Sequence, residues 1–146
     1  MIELKVGHDL PFDKLVALYE SVGWIAYINE RRRPELQSAV RNSTYVVTAW
    51  SGDNLVGLAR GLSDNSSIFY LQDILVHPDF QRQGIGRQLL NHCLRQYRHV
   101  RSIVLMTDDE EKQLKFYESL GFRNTRKLPG IEINTFVKFE GSDSED

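Results

Sequence analysis

Two periods of hydrophobic spacing divide the chain into elements. Ile2–Val6 alternates apolar and polar residues and predicts a strand. Pro11 then opens a stretch with Phe12, Leu15, Val16 and Tyr19 at helical spacing, and a second short helix is expected beyond Arg31–Glu35, with Pro34 in its first turn. "TYVVTAW" (44–50) and "NLVGLARGL" (54–62) are β-rich runs joined by Ser51-Gly52-Asp53-Asn54, a hairpin signal. Ser67–Val76 is a longer, mostly apolar run, the mark of a strand inside a sheet. From Gly84 onward Ile85, Leu89, Cys93 and Tyr97 form a helical stripe with Leu90 and Leu94 beside it. Ser102–Thr107 reads as a buried strand. Asp108–Phe122 reads as a helix with Asp108 as its cap, Glu111 completing a capping box and Gly121 as its stop. A weak strand is expected near Phe122–Lys127. Ile131–Phe139 predicts a last one, with Ile131, Ile133, Thr135, Val137 and Phe139 on one face. The order β-α-α-β-β-β-α-β-α-β-β implies an α/β fold: a mixed sheet with helices on both faces.

Length and composition narrow the class. At 146 residues, 41% hydrophobic and 26% charged, the chain suits one globular domain, expected over residues 1–140, with the acidic "GSDSED" tail (141–146) disordered. A net charge of −2 argues against a nucleic-acid partner. The lone cysteine, Cys93, excludes an internal disulfide and a Cys-rich metal site, and no metal is expected. The opening "MIELKVGHDL" lacks a signal-like apolar run and no stretch reaches membrane-span length, so the expectation is a cytoplasmic protein with no membrane partner.

The stretch "HPDFQRQGIGRQLL" (77–90) puts Gly84 and Gly86 where a helix begins, although glycine costs about 1 kcal/mol there relative to alanine. A helix N-terminus offers unpaired N–H groups and a partial positive charge, and glycine lets an anion approach the backbone. Between Phe80 and Thr107 stand Arg82, Arg87, Arg95, Arg98 and Arg101 without one carboxylate, which favours a polyanionic ligand. Close helix–sheet packing at Gly86 is the competing explanation. No G-K-[ST] follows, so this is not a P-loop, and Leu89 holds the third glycine position of a dinucleotide fingerprint.

"LQDILVHPDFQRQGIGRQLL" resembles the acetyl-CoA signature of the GCN5-related N-acetyltransferases (GNAT), with Gln81-Arg82-Gln83-Gly84-Ile85-Gly86 following Val76-His77-Pro78. "KFYESLGF" (115–122) resembles that family's final-helix motif. The resemblance implies a GNAT-like fold, acetyl-CoA as cosubstrate, an amine acceptor and, as in many relatives, a homodimer; the aromatic residues of the first helices favour a small-molecule amine. It implies that the backbone of Ile74, Leu75 and Val76 pairs with the pantetheine arm. Backbone from Gln81, Arg82, Gln83, Gly84, Ile85, Gly86 and Arg87 would hold the pyrophosphate, and Tyr117 would protonate the leaving thiolate. Glu110 departs from the pattern, since the family often has asparagine there to contact pantetheine.

Acetyl transfer by direct attack in a ternary complex needs a neutral amine, a stabilised oxyanion and a proton for sulfur, but no enzyme nucleophile. Cys93 on its apolar stripe is accordingly a core residue. Asp73, alone in an apolar strand, is either the general base or hydrogen-bonded to a neighbouring loop or arginine. His77 reads as a turn residue and "RRR" (31–33) as a solvated face. Tyr19, Trp24 and Tyr27 are dense aromatics in a segment that in this family usually walls the acceptor pocket; Trp24 and Tyr27 are the candidate substrate contacts, and packing on the sheet is their alternative. Glu30 nearby could attract a cationic amine. Beside a small, apolar or aromatic amine, two readings stay open: a protein acetyltransferase acting on lysine or an N-terminus, and a non-catalytic acyl-CoA sensor.

Overall fold

The structure, a computed structural model, describes residues 1–139. The chain divides into two compact units, Met1–Leu105 and a second that begins at Met106. In the first unit strand β1 (Ile2–Val6) is followed by helices α1 (Phe12–Ser21), α2 (Ile25–Ile28) and α3 (Arg33–Arg41). Strands β2 (Tyr45–Ser51), β3 (Asn54–Ser63) and β4 (Ile68–Val76) come next. A 3₁₀ turn (Pro78–Phe80), helix α4 (Ile85–Gln96) and strand β5 (Ser102–Leu105) complete the unit. The sheet runs β1-β2-β3-β4-β5, antiparallel except for the parallel β4–β5 pair. The expected mixed α/β architecture is therefore present, with one more short helix before β2 than the spacing predicts.

Strand alternation puts a core on each face. Val46, Trp50, Leu58 and Leu75 pack with Leu15, Leu18 and Tyr19 of α1 and with Leu36 and Val40 of α3. The other face takes the apolar stripe of α4, where Ile85, Leu89, Leu90 and Cys93 are at most 2% exposed. Gly57 on β3 makes the close approach possible: a Cβ there would lie 3.1 Å from Leu89 and 3.3 Å from Ile85. A close-packing glycine thus sits on the strand under the helix. The hairpin forms as expected, with Gly52 at φ +59° between β2 and β3.

The second unit holds α5 (Glu111–Ser119) and a 3₁₀ turn, Thr125–Lys127. Helix α5 begins later than its capping box predicts. Its N-cap is Glu110, and the Asp108 carboxylate instead accepts the Glu110 N–H at 3.0 Å. The strand expected near Phe122–Lys127 is that 3₁₀ turn, because Asn124 accepts the Arg126 N–H at 3.0 Å and bends the chain locally. Ile131–Phe139 forms no strand among the described residues. Ile131, Ile133, Val137 and Phe139 are 49–84% exposed. Alternation fixes which side chains share a face, but a strand also needs a ladder partner, and this segment pairs with none. The 141–146 tail lies outside the described residues. Among the described residues no helix is long and apolar enough to cross a membrane.

Candidate active site

Strand β4 is paired along its whole length on one side and along half on the other. β3 contacts it from Phe69 to Val76, while β5 pairs only with Ile68–Leu71. Among the described residues no strand pairs with Gln72 to Val76 on the β5 side. Ile74, Leu75 and Val76 fall in this open stretch. A strand with one unpaired edge is a template for an extended, hydrogen-bonding ligand.

A bulge sits where the pairing ends. Arg60 opposes Asp73 and Gly61 opposes Leu71, leaving Gln72 as the extra residue. The alternation of β4 inverts there. Phe69 stacks on Tyr97 at 4.3 Å, on the α4 side, whereas Leu75 belongs to the α1–α3 core. Gln72 and Asp73, although consecutive, both reach Tyr27. Gly61 belongs to the same device, since a Cβ there would run into the Phe69 ring and lie 2.7 Å from the Tyr70 carbonyl oxygen.

The loop beyond β4 has an unusual backbone. His77 accepts the Asp79 N–H at 3.1 Å and so is the turn residue its position predicts. Gln81 donates through Nε2 to the Val76 carbonyl at 3.0 Å, tying the loop to the strand end. Arg82 has φ +66° although it carries a side chain, a conformation that costs on the order of 1–3 kcal/mol. Gly84, at φ +79°, is the N-cap of α4 without any side-chain cap, and a Cβ there would meet nothing within 4 Å. The helical bonds begin with Gln88 N–H to the Gly84 carbonyl at 3.0 Å. The N–H groups of Ile85, Gly86 and Arg87 precede that bond and face the helix end, a set of donors suited to a phosphate.

On the α1–α3 face lies a buried polar cluster. Asp73 Oδ2 accepts Arg60 Nε at 2.7 Å and the Tyr19 hydroxyl at 2.8 Å; Oδ1 accepts the Tyr27 hydroxyl at 3.1 Å. Arg60 also donates to Ser43 Oγ at 3.2 Å. Asp73 is 4% exposed and Arg60 5%. Burial disfavours the Arg60 charge, but the Asp73 carboxylate together with Tyr19 and Tyr27 outweighs it and raises the arginine's pKa. Burial, then the Asp73 charge, raises the pKa values of Tyr19 and Tyr27, with Arg60 opposing, so both phenols stay protonated donors. Of the two readings of Asp73, the partner of a neighbouring arginine is the one its contacts display: each oxygen already holds a donor.

Trp24 and Tyr27 are half-buried and come together with their rings 6.2 Å apart, and the Tyr19 ring lies 5.7 Å from Trp24 and 5.1 Å from Tyr27. Arg60 is the residue that sequence reasoning missed. Its signal was available: a lone cation in the apolar run "NLVGLARGL", matching the lone anion in "IFYLQDILV".

Tyr117 lies in the second unit, on the last full turn of α5. The helix ends in a Schellman motif: Phe122 N–H bonds the Tyr117 carbonyl at 3.2 Å and Gly121 N–H bonds that of Glu118 at 3.1 Å. Gly121 supplies the required left-handed residue at φ +93°. The accompanying apolar contact is Tyr117 edge-on to Phe122 at 6.0 Å, with Phe116 at 5.1 Å on another side. Burial first, then Asp108, pushes the Tyr117 hydroxyl up to about 12. Cys93 is buried and its thiol is likewise pushed up to about 12, which leaves it inert.

A half-unpaired strand leading into a helix N-terminus without a side-chain cap is an arrangement suited to an extended ligand with an anionic end. Comparison with known proteins says which class of protein this is. The acetyltransferase (GNAT) domain family matches residues 26–132. A GNAT-family acetyltransferase from Streptococcus pneumoniae superposes with a TM-score of 0.79 at 31% identity, covering 95% of this chain and all of that one. The N-acetyltransferase ycf52 of Pyropia yezoensis is 29% identical over 125 residues, 83% of this chain and 70% of that protein. A Glycine max protein named histone acetyltransferase TAP1 is 32% identical over 131 residues, 80% of this chain and 53% of that protein. Against the ycf52 proteins of two further algae the chain spans 59% and 63% of their length. The chain belongs to the GCN5-related N-acetyltransferase family and is an acyltransferase.

Proposed function

We propose that the protein transfers the acetyl group of acetyl-CoA to a primary amine by direct attack in a ternary complex, and that the acceptor is a small amine with an apolar or aromatic body. The observation that carries this is β4, whose open edge from Gln72 to Val76 runs into the Arg82–Gly84 loop and the uncapped start of α4. In this reading the backbone of Ile74, Leu75 and Val76 pairs with the pantetheine amides. The N–H groups from Gln81 to Arg87 hold the pyrophosphate. Gly84 is glycine because its backbone is left-handed and because the space beyond it is for the ligand. Trp24 and Tyr27 contact the acceptor. Tyr117, held protonated by its burial, donates to the departing thiolate. The match over residues 26–132 spans both units, which supports one acetyltransferase domain over 1–140. The aromatic cluster favours a small amine over a protein substrate.

The test is calorimetric titration with acetyl-CoA, beside a Gly84→Asp/Gly86→Asp variant shown to be folded by circular dichroism. Micromolar binding by the wild type that the variant loses supports the reading. No binding by folded wild type would refute it.

A further inference from the structure

The Tyr27 hydroxyl stands between two side chains of the bulge. It donates to Asp73 Oδ1 at 3.1 Å and accepts from Gln72 Nε2 at 3.3 Å. Asp73 is fixed from behind by Arg60 at 2.7 Å and Tyr19 at 2.8 Å. A phenol has one proton, and here it is committed inward. What the oxygen can offer a ligand is a lone pair. Gln72, the donor that now uses it, is exposed and its contact is long, so an incoming donor can displace it.

The charges around this oxygen decide what that ligand is. Facing Tyr27 are Tyr19 from α1, Arg60 from β3 and Asp73 from β4, with Tyr70 also within the field of Asp73. Arg60 and Asp73 cancel, and the phenols are neutral. The cluster therefore carries no net negative charge with which to hold an ammonium ion. A proton delivered to Asp73 would strand the Arg60 charge in a buried site, which is costly. The carboxylate is thus poorly suited to serve as the base.

We propose that the Tyr27 oxygen accepts an N–H of the acceptor, that the acceptor enters as the uncharged primary amine with its apolar body against Trp24, and that Asp73 is a positioning residue that aims Tyr27. The inference rests on the acetyl-transfer reading above. In the reaction the amine nitrogen bonds to the thioester carbonyl carbon and the C–S bond breaks. One proton leaves nitrogen for water and one reaches sulfur.

The experiment is steady-state thiol release from acetyl-CoA with benzylamine and its less basic 4-trifluoromethyl analogue, across pH, with acetyl-CoA binding measured by calorimetry for each protein. The acid limb of kcat/KM is expected to rise about tenfold per pH unit and to move with the basicity of the amine. Tyr27→Phe should lower kcat/KM for benzylamine about tenfold, the loss of one hydrogen bond, with acetyl-CoA affinity unchanged. Asp73→Asn, if it folds, should lower the level and leave the limb in place. A limb at one fixed pH for both amines, its disappearance in Asp73→Asn, unaltered kinetics in Tyr27→Phe, or no benzylamine turnover by wild type that binds acetyl-CoA would each overturn the inference alone. Wild type that binds no acetyl-CoA would overturn the parent reading and this one with it.

Discussion

Replacing Arg60 with methionine removes the cation from the buried cluster and leaves the Asp73 carboxylate with only its two tyrosine donors. The side chains of the pair are 7% and 4% exposed and meet at 2.7 Å, so solvent cannot take the place of the lost partner. Breaking such a pair from one side costs roughly 3–5 kcal/mol. Against a total stability of about 5–15 kcal/mol, that is about a fifth or more of what holds a domain folded. For a chain of this length it corresponds to a fall in melting temperature on the order of 10 °C. Urea denaturation followed by far-ultraviolet circular dichroism measures it, with an unchanged slope showing that the same surface unfolds. Removing both charges tests the reasoning harder. In Arg60→Met/Asp73→Leu no ion is left stranded, although the buried Tyr19 hydroxyl loses its acceptor at a cost of about 1–3 kcal/mol, so the double variant should be less destabilised than the sum of the two singles. A loss below about 1 kcal/mol in Arg60→Met, the range of a solvated surface pair, would refute the account. So would a double variant that is simply the sum of the two singles.

Other expectations follow from individual residues. Gly61→Ala should destabilise by at least about 1–3 kcal/mol, measured by the same denaturation, since the new methyl group meets the Phe69 ring and the Tyr70 backbone. Gly121→Ala puts a Cβ on a left-handed residue and should cost about 1 kcal/mol, read as a lower melting temperature. Cys93 should resist a thiol-reactive disulfide reagent in the native state and react as one thiol per chain once unfolded; prompt native-state reaction would contradict its burial. Tyr117, raised by burial from 10 to about 12, favours the folded state fully below pH 10, and that contribution is lost as pH climbs through about 12. Tyrosinate absorbance should therefore appear later in wild type than in the unfolded chain, and Tyr117→Phe should remove part of the alkaline instability.

Much of the fold is written in spacing. The stripe of α4, the β2–β3 hairpin and the stop of α5 at Gly121 each follow from a local rule, because each is decided by residues a few positions apart. The glycine at the head of α4 was legible for the same reason. What local pattern could not supply is pairing. Asp73 as an isolated anion and Arg60 as an isolated cation were each visible, but only the β3–β4 register, shifted by the bulge at Gln72, sets them opposite each other. The final segment failed in the other direction. Its alternation is strict, yet a strand is a property of two segments, and Ile131–Phe139 forms no strand among the described residues. The N-cap of α5 falls at Glu110, not Asp108, because the Asp108 carboxylate is taken by a local turn onto the Glu110 N–H; no side chain caps the helix.

Strand β4 offers its neighbours two surfaces that answer to different parts of the sequence. Its open edge is peptide backbone, the same whatever residues occupy Gln72 to Val76. Its face is side chain, and the bulge presents two consecutive ones to the helices above. Substitutions at Gln72, Tyr27 or Trp24 can therefore remake the face without altering the edge. On the proposed reading, with the donor at the edge and the acceptor at the face, a lineage built on this strand can change its acceptor by point mutation while inheriting its donor intact.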